Sequence, residues 1–246
     1  MIVRQTRFYR LAELFFDEEG APGDVDVIEH FQRSEPLPHT RRSDFYTLHL
    51  DLTPDAETLW AGISKDCRNK IHRAERDGLV EKHWSPASGA LDEFMDVFDR
   101  FADSKGIPPA PRDRLRRLDD AGVLDVSAAL SEGTPLVWRC HMRAAGRARA
   151  LYKASLYRSV TESSVRSRMG RASRYLQWQD ILYYQRLGMR LYDFGGWYHG
   201  HTDSDLLRIN NFKAEFGGHL VREFHCAQAA SWRGRAVLFA RALGRR

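Results

Sequence analysis

Apolar and polar positions repeat along the chain with two different periods, and each period predicts one kind of element. Apolar residues at steps of three and four predict amphipathic helices. These helices span residues 56–77, 90–104, 112–120, 171–187 and 204–215. Alternating apolar and polar residues, or short apolar runs between turn residues, predict strands. These strands span residues 45–52, 123–130, 135–143, 149–157, 189–194, 220–226 and 236–243.

Turn residues show how the central strands connect. The dipeptides Glu132-Gly133 and Ala145-Gly146 separate three consecutive strands and predict two tight hairpin turns. Because hairpins join antiparallel neighbours, these strands form a meander, and a doubly wound parallel fold is excluded. The order of elements predicts the α+β class, with a mixed, mostly antiparallel sheet flanked by helices. Residues 1–45 are expected to form strands or short helices that dock on this body, and the polar stretch 159–169 to be a loop.

Composition limits the class of protein. The chain has 246 residues, of which 43% are hydrophobic, so it can bury a core of domain size. No run approaches the roughly 18 apolar residues of a membrane helix, and the N-terminus lacks the apolar segment of a signal peptide. We therefore expect a cytoplasmic protein without stable membrane insertion. Lys and Arg outnumber Asp and Glu by 38 to 33. This balance favours an anionic partner, although a GC-rich genome would produce it equally well.

Candidate metal ligands are sparse, and no metal is predicted. Cys67, Cys140 and Cys226 are far apart and form no paired motif, which argues against a structural zinc site and against a disulfide framework. His199 and His201 lie two residues apart but lack a third firm ligand. The sequence also lacks a nucleophile elbow, a P-loop and a dinucleotide-binding fingerprint.

The order of elements resembles the acetyltransferase (GNAT) fold. In that fold, a loop and helix after the fourth strand bind the phosphates of the acyl donor. Here the candidate segment is Arg168-Met169-Gly170-Arg171-Ala172, because a glycine at the start of a helix lets backbone N–H groups face an anion. The usual coenzyme A signature also has Gln or Arg three residues before the glycine, where this chain has Ser167.

Two further segments resemble the FemAB-like branch of that superfamily. LQWQDILYYQRLGMRLYDFGG (176–196) and INNFKAEFGG (209–218) are similar to its C-terminal signature, and the basic segment 64–79 is similar to its linking helix. The resemblance implies aminoacyl-tRNA as donor and an amine as acceptor, which in the best-known members belongs to a peptidoglycan precursor. Full members carry two acyltransferase-like domains. We therefore predict an N-terminal extension or truncated first domain over 1–55, a basic linking helix over 56–80 and a GNAT-like domain over 81–246.

Lys213 and Asp193 are the predicted catalytic residues. The resemblance makes Lys213 a candidate for stabilising the negative charge that develops on the donor ester, and the alternative is an exposed lysine paired with a carboxylate. Asp193 ends a strand before two glycines, so it either holds the acceptor amine or acts as a base, or else caps the glycine turn. The predicted substrate-binding residues are Tyr192, Trp197, Tyr198, Asn211, Phe212 and Lys153.

Basic residues near the predicted linking helix are candidates for binding the donor. With the arginines at 166–174 they are expected to follow a phosphate backbone, and the alternative is a solvated helix face. The predicted phosphate-binding residues are Arg68, Arg73, Arg168, Gly170 and Arg171. Aromatic residues on the same segment either stack on the end of an RNA acceptor stem or belong to the core. They are Tyr175, Trp178, Tyr183 and Tyr184.

These patterns predict an N-acyltransferase that forms an amide bond. The first hypothesis is transfer of an aminoacyl group from aminoacyl-tRNA to the amine of a peptide or small molecule, without a bound cofactor. The second is an N-acyltransferase that uses a coenzyme A thioester. The third is an RNA- or peptide-binding module that keeps the fold without catalysis, because fold alone does not determine function.

Overall fold

The computed structural model describes residues 1–20, 23–155 and 162–243. The strands are β1 (Ile2–Gln5), β2 (Arg10–Phe15), β3 (Val27–Arg33), β4 (Arg41–Asp51), β5 (Val80–Trp84), β6 (Leu124–Ser131), β7 (Thr134–Ala144), β8 (Arg147–Ala154), β9 (Leu191–Gly196) and β10 (His219–Ala229). The helices are α1 (Ala56–Gly62), α2 (Lys65–Arg76), α3 (Ala90–Lys105), α4 (Arg112–Asp120), α5 (Ser163–Arg186), α6 (Ser204–Ala214) and α7 (Trp232–Leu243). None of these helices is long and apolar enough to cross a bilayer.

The chain divides into two compact units. One consists of Met1–Thr47 with Leu220–Arg246, and the other is Leu48–His219. These bounds differ from the three predicted segments, because the predicted linking helix falls in one unit with residues 81–219, whereas residues 220–246 fall in the unit of the N-terminal segment. The origin of the N-terminal segment as a truncated domain stays a prediction.

The larger unit, Leu48–His219, is built on a mixed sheet. Its strands lie in the order β4-β9-β8-β7-β6-β5, and β6, β7 and β8 form the predicted antiparallel meander. Positive φ angles at both residues of each hairpin turn explain the turn sequences, because such turns match the twist of the strands. These residues are Glu132 (52°), Gly133 (78°), Ala145 (50°) and Gly146 (73°). The predicted fold class is confirmed.

Helix α5 covers one face of this sheet. Leu176, Ile181 and Tyr184 are fully buried in its core, together with Tyr192 of β9. Trp178 is also buried there, so the core alternative holds for that side chain. Tyr175 and Tyr184 are buried as well, which leaves them unable to stack on RNA.

The predicted helix over 56–77 is wrong in one respect, because it consists of two helices. The side chain of Ser64 accepts the backbone N–H of Cys67 and thereby starts α2 after the break. The guanidinium of Arg68 then reaches back and donates to the carbonyl groups of Trp60, Ala61 and Ile63 at the end of α1.

The predicted loop over 159–169 is also wrong from residue 163 onward, since α5 begins at Ser163. Residues 156–161 lie outside the described part of the chain, and these include the last two residues of the strand predicted over 149–157. Strand β5, which no period revealed, pairs with β6 at the edge of the sheet.

The smaller unit contains strands in the order β1-β2-β3-β10. Strands β2 and β3 are parallel, and β10 is antiparallel to β3. The expected strands near the N-terminus are therefore present. The strand predicted over 236–243 is wrong, because this segment forms helix α7.

Candidate active site

Strands β8 and β9 part at the centre of the larger unit. Their parallel register ends with the pair Arg149 and Asp193. Beyond it, Gly195 has φ +73°, and a Cβ there would lie 2.7 Å from the carbonyl oxygen of Ala150. On the other side of β8, Cys140 pairs with Tyr152 but His141 pairs with Ala150, so the strand bulges between them. Such a bulge beside diverging strands re-aims the side chains that follow it.

Lys213 reaches this point from the last turn of α6. Its Nζ donates to the carbonyl oxygen of Gly195 at 3.1 Å and also to that of Gly196. Burial lowers the pKa of Lys213 to about 8, against the opposing charge of Asp193. An ammonium group has three donors, and these contacts use two of them. The predicted carboxylate partner is therefore replaced by two backbone carbonyls.

The ring of Phe212 is surrounded by cations. Lys153 Nζ lies 4.5 Å from the ring centroid, and the guanidinium carbons of Arg174 and Arg139 lie at 5.3 and 5.8 Å. Arg139 and Lys153 sit directly opposite each other on β7 and β8. Two like charges in this position repel each other, and, besides burial, the charge of Arg139 is accordingly one of the causes that lower the pKa of Lys153.

The charge at this ring is only partly balanced. Arg139 is buried, and its Nη2 has no hydrogen-bond partner among residues 1–20, 23–155 and 162–243. Its Nε lies 3.7 Å from a carboxylate oxygen of Asp180, which is itself within 3.0 Å of His83. Burial, with the charges of Arg139 and Arg174, lowers the pKa of Lys153 well below its ordinary value. The Nζ of Lys153 meanwhile donates to the hydroxyl of Ser173.

A basic groove lies between α2 and α5. It has a volume of about 750 Å³ and is lined chiefly by cations and small polar residues. Its basic residues are Lys70, Arg73, Arg166, Arg171 and Arg174. Arg171 pairs with Asp77 and Lys70 with Asp66, whereas Arg73 and Arg166 form no ion pair within the described ranges. Arg174 belongs both to this groove and to the cations around Phe212, so the groove leads to that ring.

Glu215 joins the groove to the end of α6. Both carboxylate oxygens accept from the Arg174 guanidinium at 2.6 Å. Its backbone carbonyl accepts the N–H of Ser64, the residue that starts α2, at 2.8 Å. Lys213 lies two residues before Glu215, so α2, α5 and the Lys213 segment meet at one residue.

Not every predicted phosphate-binding residue lies in this groove. Arg73, Gly170 and Arg171 line it. Arg68 does not, because its guanidinium is engaged with the carbonyls at the end of α1. Arg168 contacts the backbone carbonyl of Asp77 instead. Gly170 lies seven residues inside α5, so the predicted anion site at the start of a helix is wrong for this glycine.

Asp193 is fully buried and already has partners. Its Oδ2 accepts from Nε of Arg147 at 3.1 Å and from Nη2 of the same residue, and its Oδ1 accepts the N–H of Gly195 at 2.8 Å. Arg147 also contacts Nε2 of His49, whose pKa burial lowers to about 4. The geometry therefore favours the structural alternative for Asp193, which caps the glycine turn and neutralises a buried arginine.

The predicted substrate-binding residues fall into different environments. Tyr192 is fully buried with its hydroxyl 2.8 Å from Nε2 of His141, so it is not placed to contact a substrate. Asn211 is exposed, whereas its neighbour Asn210 is buried and bonds both the N–H and the carbonyl of Tyr198. Asn210 thus holds the loop after β9 against α6. Substrate contact by Trp197 and Tyr198, which lie in this loop, stays a prediction.

Sequence reasoning missed Arg139, Asn210 and Glu215. A signal existed for Arg139, since a charged residue inside the apolar run Val137–Met142 is unusual unless it is paired or functional. For Asn210 and Glu215 the decisive contacts are distant in sequence, so neither had a local signal.

Comparisons with known proteins identify the fold. No protein-family model matches the chain, and no curated protein matches it. FemX matches with a TM-score of 0.63 and 11% identity, over 82% of this chain and 72% of FemX. The C-terminal domain of a putative lysylphosphatidylglycerol synthetase from Agrobacterium fabrum matches with a TM-score of 0.54 and 14% identity, over 98% and 84%. L-PGS from Bacillus licheniformis matches with a TM-score of 0.56 and 13% identity, over 99% and 85%.

The chain has the FemAB-like, GNAT-type fold. The resemblance predicted from the two C-terminal signature segments is thereby confirmed at the level of the fold. FemAB-like folds are acyltransferase folds, which agrees with the coarser part of the predicted function. The identity of the acyl donor and of the acceptor has to be inferred from the geometry of this chain's own site.

Proposed function

We propose that this protein transfers an aminoacyl group from aminoacyl-tRNA to an amine and forms an amide bond. The observation that carries the proposal is the position of Lys213, which lies where β8 and β9 part and two residues before Glu215, the partner of the groove residue Arg174. Two of its three donors are held by the carbonyls of Gly195 and Gly196. The third is available to a developing oxyanion.

The donor enters through the groove between α2 and α5. Arg73 and Arg166, which lack ion pairs in the described part of the chain, contact backbone phosphates of the acceptor end. The terminal nucleotide approaches Phe212, where Arg174 and Lys153 flank the ring. A ring with cations at its face and edge suits both a base and its phosphate.

The chemistry is aminolysis of an ester. The lone pair of the acceptor amine attacks the carbonyl carbon of the aminoacyl ester, and the carbonyl oxygen becomes an oxyanion. Lys213 donates to that oxygen and stabilises it. The bond between the carbonyl carbon and the ribose oxygen then breaks, the ribose oxygen takes up the proton that the attacking amine nitrogen loses, and the amide remains. Asp193 does not serve as base, because both of its oxygens are occupied and buried.

The geometry weakens the argument for a coenzyme A thioester as donor. That alternative rested on the fold and on Gly170 with Ala172; the fold is present, but Gly170 lies inside α5 and not at the start of a helix. One of the similar structures belongs to a putative lysylphosphatidylglycerol synthetase, so phosphatidylglycerol is included among the acceptors to be tested.

The decisive experiment incubates the protein with tRNA charged with radiolabelled amino acids. Lysine-containing tripeptides and phosphatidylglycerol serve as separate acceptors. We expect label in the tripeptides, with transfer abolished by prior RNase treatment, whereas label in phosphatidylglycerol alone would show ester formation and refute the amide. Transfer that survives RNase but requires an acyl-coenzyme A would refute the proposal in favour of the second hypothesis.

Lys213→Met is the matched variant, since methionine keeps the length of the side chain but cannot donate. We expect transfer to fall about 100- to 1,000-fold, as for the loss of one oxyanion donor, with tRNA affinity within about twofold of wild type. Equal transfer by variant and wild type would remove Lys213 from the mechanism. RNA binding without transfer to any acceptor would favour the non-catalytic module.

A further inference from the structure

Helix α7 of the smaller unit exposes an apolar stripe. Trp232, Phe239 and Leu243 are 74%, 68% and 57% exposed, and Ala236 and Ala240 are exposed between them. At the pitch of an α-helix, these positions fall within an arc of about 100°. Amphipathic helices of globular proteins normally turn such an arc toward a core. Here it faces away from the unit that carries the helix.

Positive charge flanks the stripe on both sides. Arg233 and Arg235 are exposed, and helical geometry places one on each edge of the arc. The guanidinium of Arg233 lies 5.5 Å from the Trp232 ring. Residues 232–246 include five arginines and neither Asp nor Glu. The surface therefore combines large apolar side chains with the positive charge of Arg233 and Arg235, which form no ion pair within the described residues.

The opposite side of α7 fixes the helix in place. Arg241 donates to Glu29 and to the hydroxyl of Tyr9, both at 2.6 Å. A Cβ on Gly234 would lie 1.8 Å from the carbonyl oxygen of Asp26, so the helix packs directly on that backbone. Because the buried side is held by specific contacts, the stripe cannot be buried by rotation of the helix.

A second exposed aromatic lies on a loop that reaches α7. Phe8 is 73% exposed, and the guanidinium of Arg7 lies 5.2 Å from its ring. The next residue, Tyr9, is the one that contacts Arg241. Two separate segments of one unit thus present the same combination of an exposed aromatic ring and an arginine.

We propose that α7 is an interfacial helix that docks this protein on an anionic lipid surface. Trp and Phe side chains enter the boundary between headgroups and acyl chains, while flanking arginines pair with lipid phosphates or carboxylates. A second copy of the chain is a poorer occupant, because a symmetric contact would bring the flanking arginines of both copies together. An anionic bilayer offers an apolar region to the stripe and negatively charged headgroups to the flanking arginines. The proposal is independent of the acyl-transfer chemistry.

The test is sedimentation with vesicles of phosphatidylcholine and phosphatidylserine in equal parts, beside vesicles of phosphatidylcholine alone. We expect binding to the mixed vesicles that weakens with added salt. Trp232→Ser with Phe239→Ser should weaken it about 100-fold, at about tenfold for each side chain withdrawn from the interface. Arg233→Gln with Arg235→Gln should weaken it about 25-fold, at about fivefold for each charge.

Matched controls use exposed residues elsewhere in the chain. Ile107→Ser and Arg116→Gln change the same residue types, 44% and 55% exposed, on the larger unit, and should bind like wild type. Lys213→Met should also bind like wild type, which separates this proposal from the proposed function.

Three outcomes would overturn the proposal. The apolar double variant could bind as tightly as wild type, which would leave only adsorption of a basic protein. Wild type could fail to bind the mixed vesicles at all. Light scattering could instead show that wild type is a dimer, that the apolar double variant is a monomer, and that neither binds vesicles. The stripe would then be an interface between two copies of the chain.

Discussion

The free energy of unfolding should depend on pH through Lys213. Burial lowers its folded-state pKa to about 8, from an ordinary value of 10.5. Between these two pH values, the folded protein has released the proton while the unfolded chain still binds it. Stability from this group therefore rises with pH across that window, and it is lowest below pH 8, where the folded protein must hold a partly buried charge.

The size of this effect follows from the same two values. The interval from 8 to 10.5 corresponds to at most about 3 kcal/mol of unfolding free energy. It is an upper bound, because Lys213 keeps partial contact with water and its two carbonyl contacts favour the charged form.

Urea unfolding at several pH values between 7 and 11 measures the effect. The comparison is between wild type, Lys213→Met and Lys213→Arg. Neither variant releases a proton in this range, since methionine does not titrate and arginine stays charged. The stability difference between wild type and either variant should shift by up to about 3 kcal/mol in favour of wild type. A difference that stays constant from pH 7 to 11 would refute the lowered pKa and the burial that causes it.

The same group gives a prediction for turnover. If the charged form of Lys213 stabilises the oxyanion, the rate constant for transfer should decline as pH rises through about 8. A rate that increases through that pH would instead indicate that the neutral amine acts as a base. The expected decline should be absent from the residual activity of Lys213→Met.

Four further substitutions test the groove, the aromatic ring and the buried ion pair. Arg73→Gln and Arg166→Gln should each reduce the slope of log affinity for tRNA against log salt concentration by about one, whereas Arg116→Gln should leave the slope unchanged. An unaltered slope in the first two variants would show that the groove does not bind phosphates. Phe212→Leu keeps an apolar side chain but removes the ring face, so donor affinity should weaken about fivefold with unchanged melting temperature, and an unaffected KM would contradict the stacking role. Asp193→Asn should cost about 3–5 kcal/mol in urea unfolding because it leaves a buried guanidinium without its counter-charge, and a loss below about 1 kcal/mol would reopen a catalytic role.

Periodicity predicted the elements whose one face is buried, and it failed where another constraint decides the structure. The break between α1 and α2 is an example. Apolar residues continue in helical phase through Trp60, Ile63 and Cys67, so the pattern indicates one helix. The chain breaks because Ser64 caps a new helix and its N–H bonds the distant carbonyl of Glu215. A contact between residues so far apart leaves no trace in a local pattern.

The strand predicted over 236–243 was wrong for a different reason, since the local pattern itself was ambiguous. The run Ala236–Ala240 is apolar at every position, and short continuous apolar runs fit a buried strand as well as a helix. The pattern was ambiguous because apolar residues lie on both sides of this helix, one side packed on its own unit and the other exposed.

Two residues of the candidate site were singled out by a sequence motif. Phe212 and Lys213 came from the signature segment, and the structure places them where the strands part. Alternation along β9 places Tyr192 and Asp193 on opposite faces, but both faces are covered, so both side chains are buried. Nothing in the sequence shows that the second face is covered, and hence Tyr192 was expected to meet substrate.

The convergence of α2, α5 and α6 at Glu215 has a thermodynamic consequence. A ligand that draws α2 and α5 together acts on the Arg174 carboxylate pair and on the Ser64 contact, and both bear on the segment that ends in Lys213. Binding of a ligand between α2 and α5 is then coupled to the position of Lys213, and such coupling between two equilibria is reciprocal. Under the proposed function, engagement of the donor ester by the Lys213 ammonium would also tighten tRNA binding, and a spent tRNA without its ester would be released more readily than a charged one.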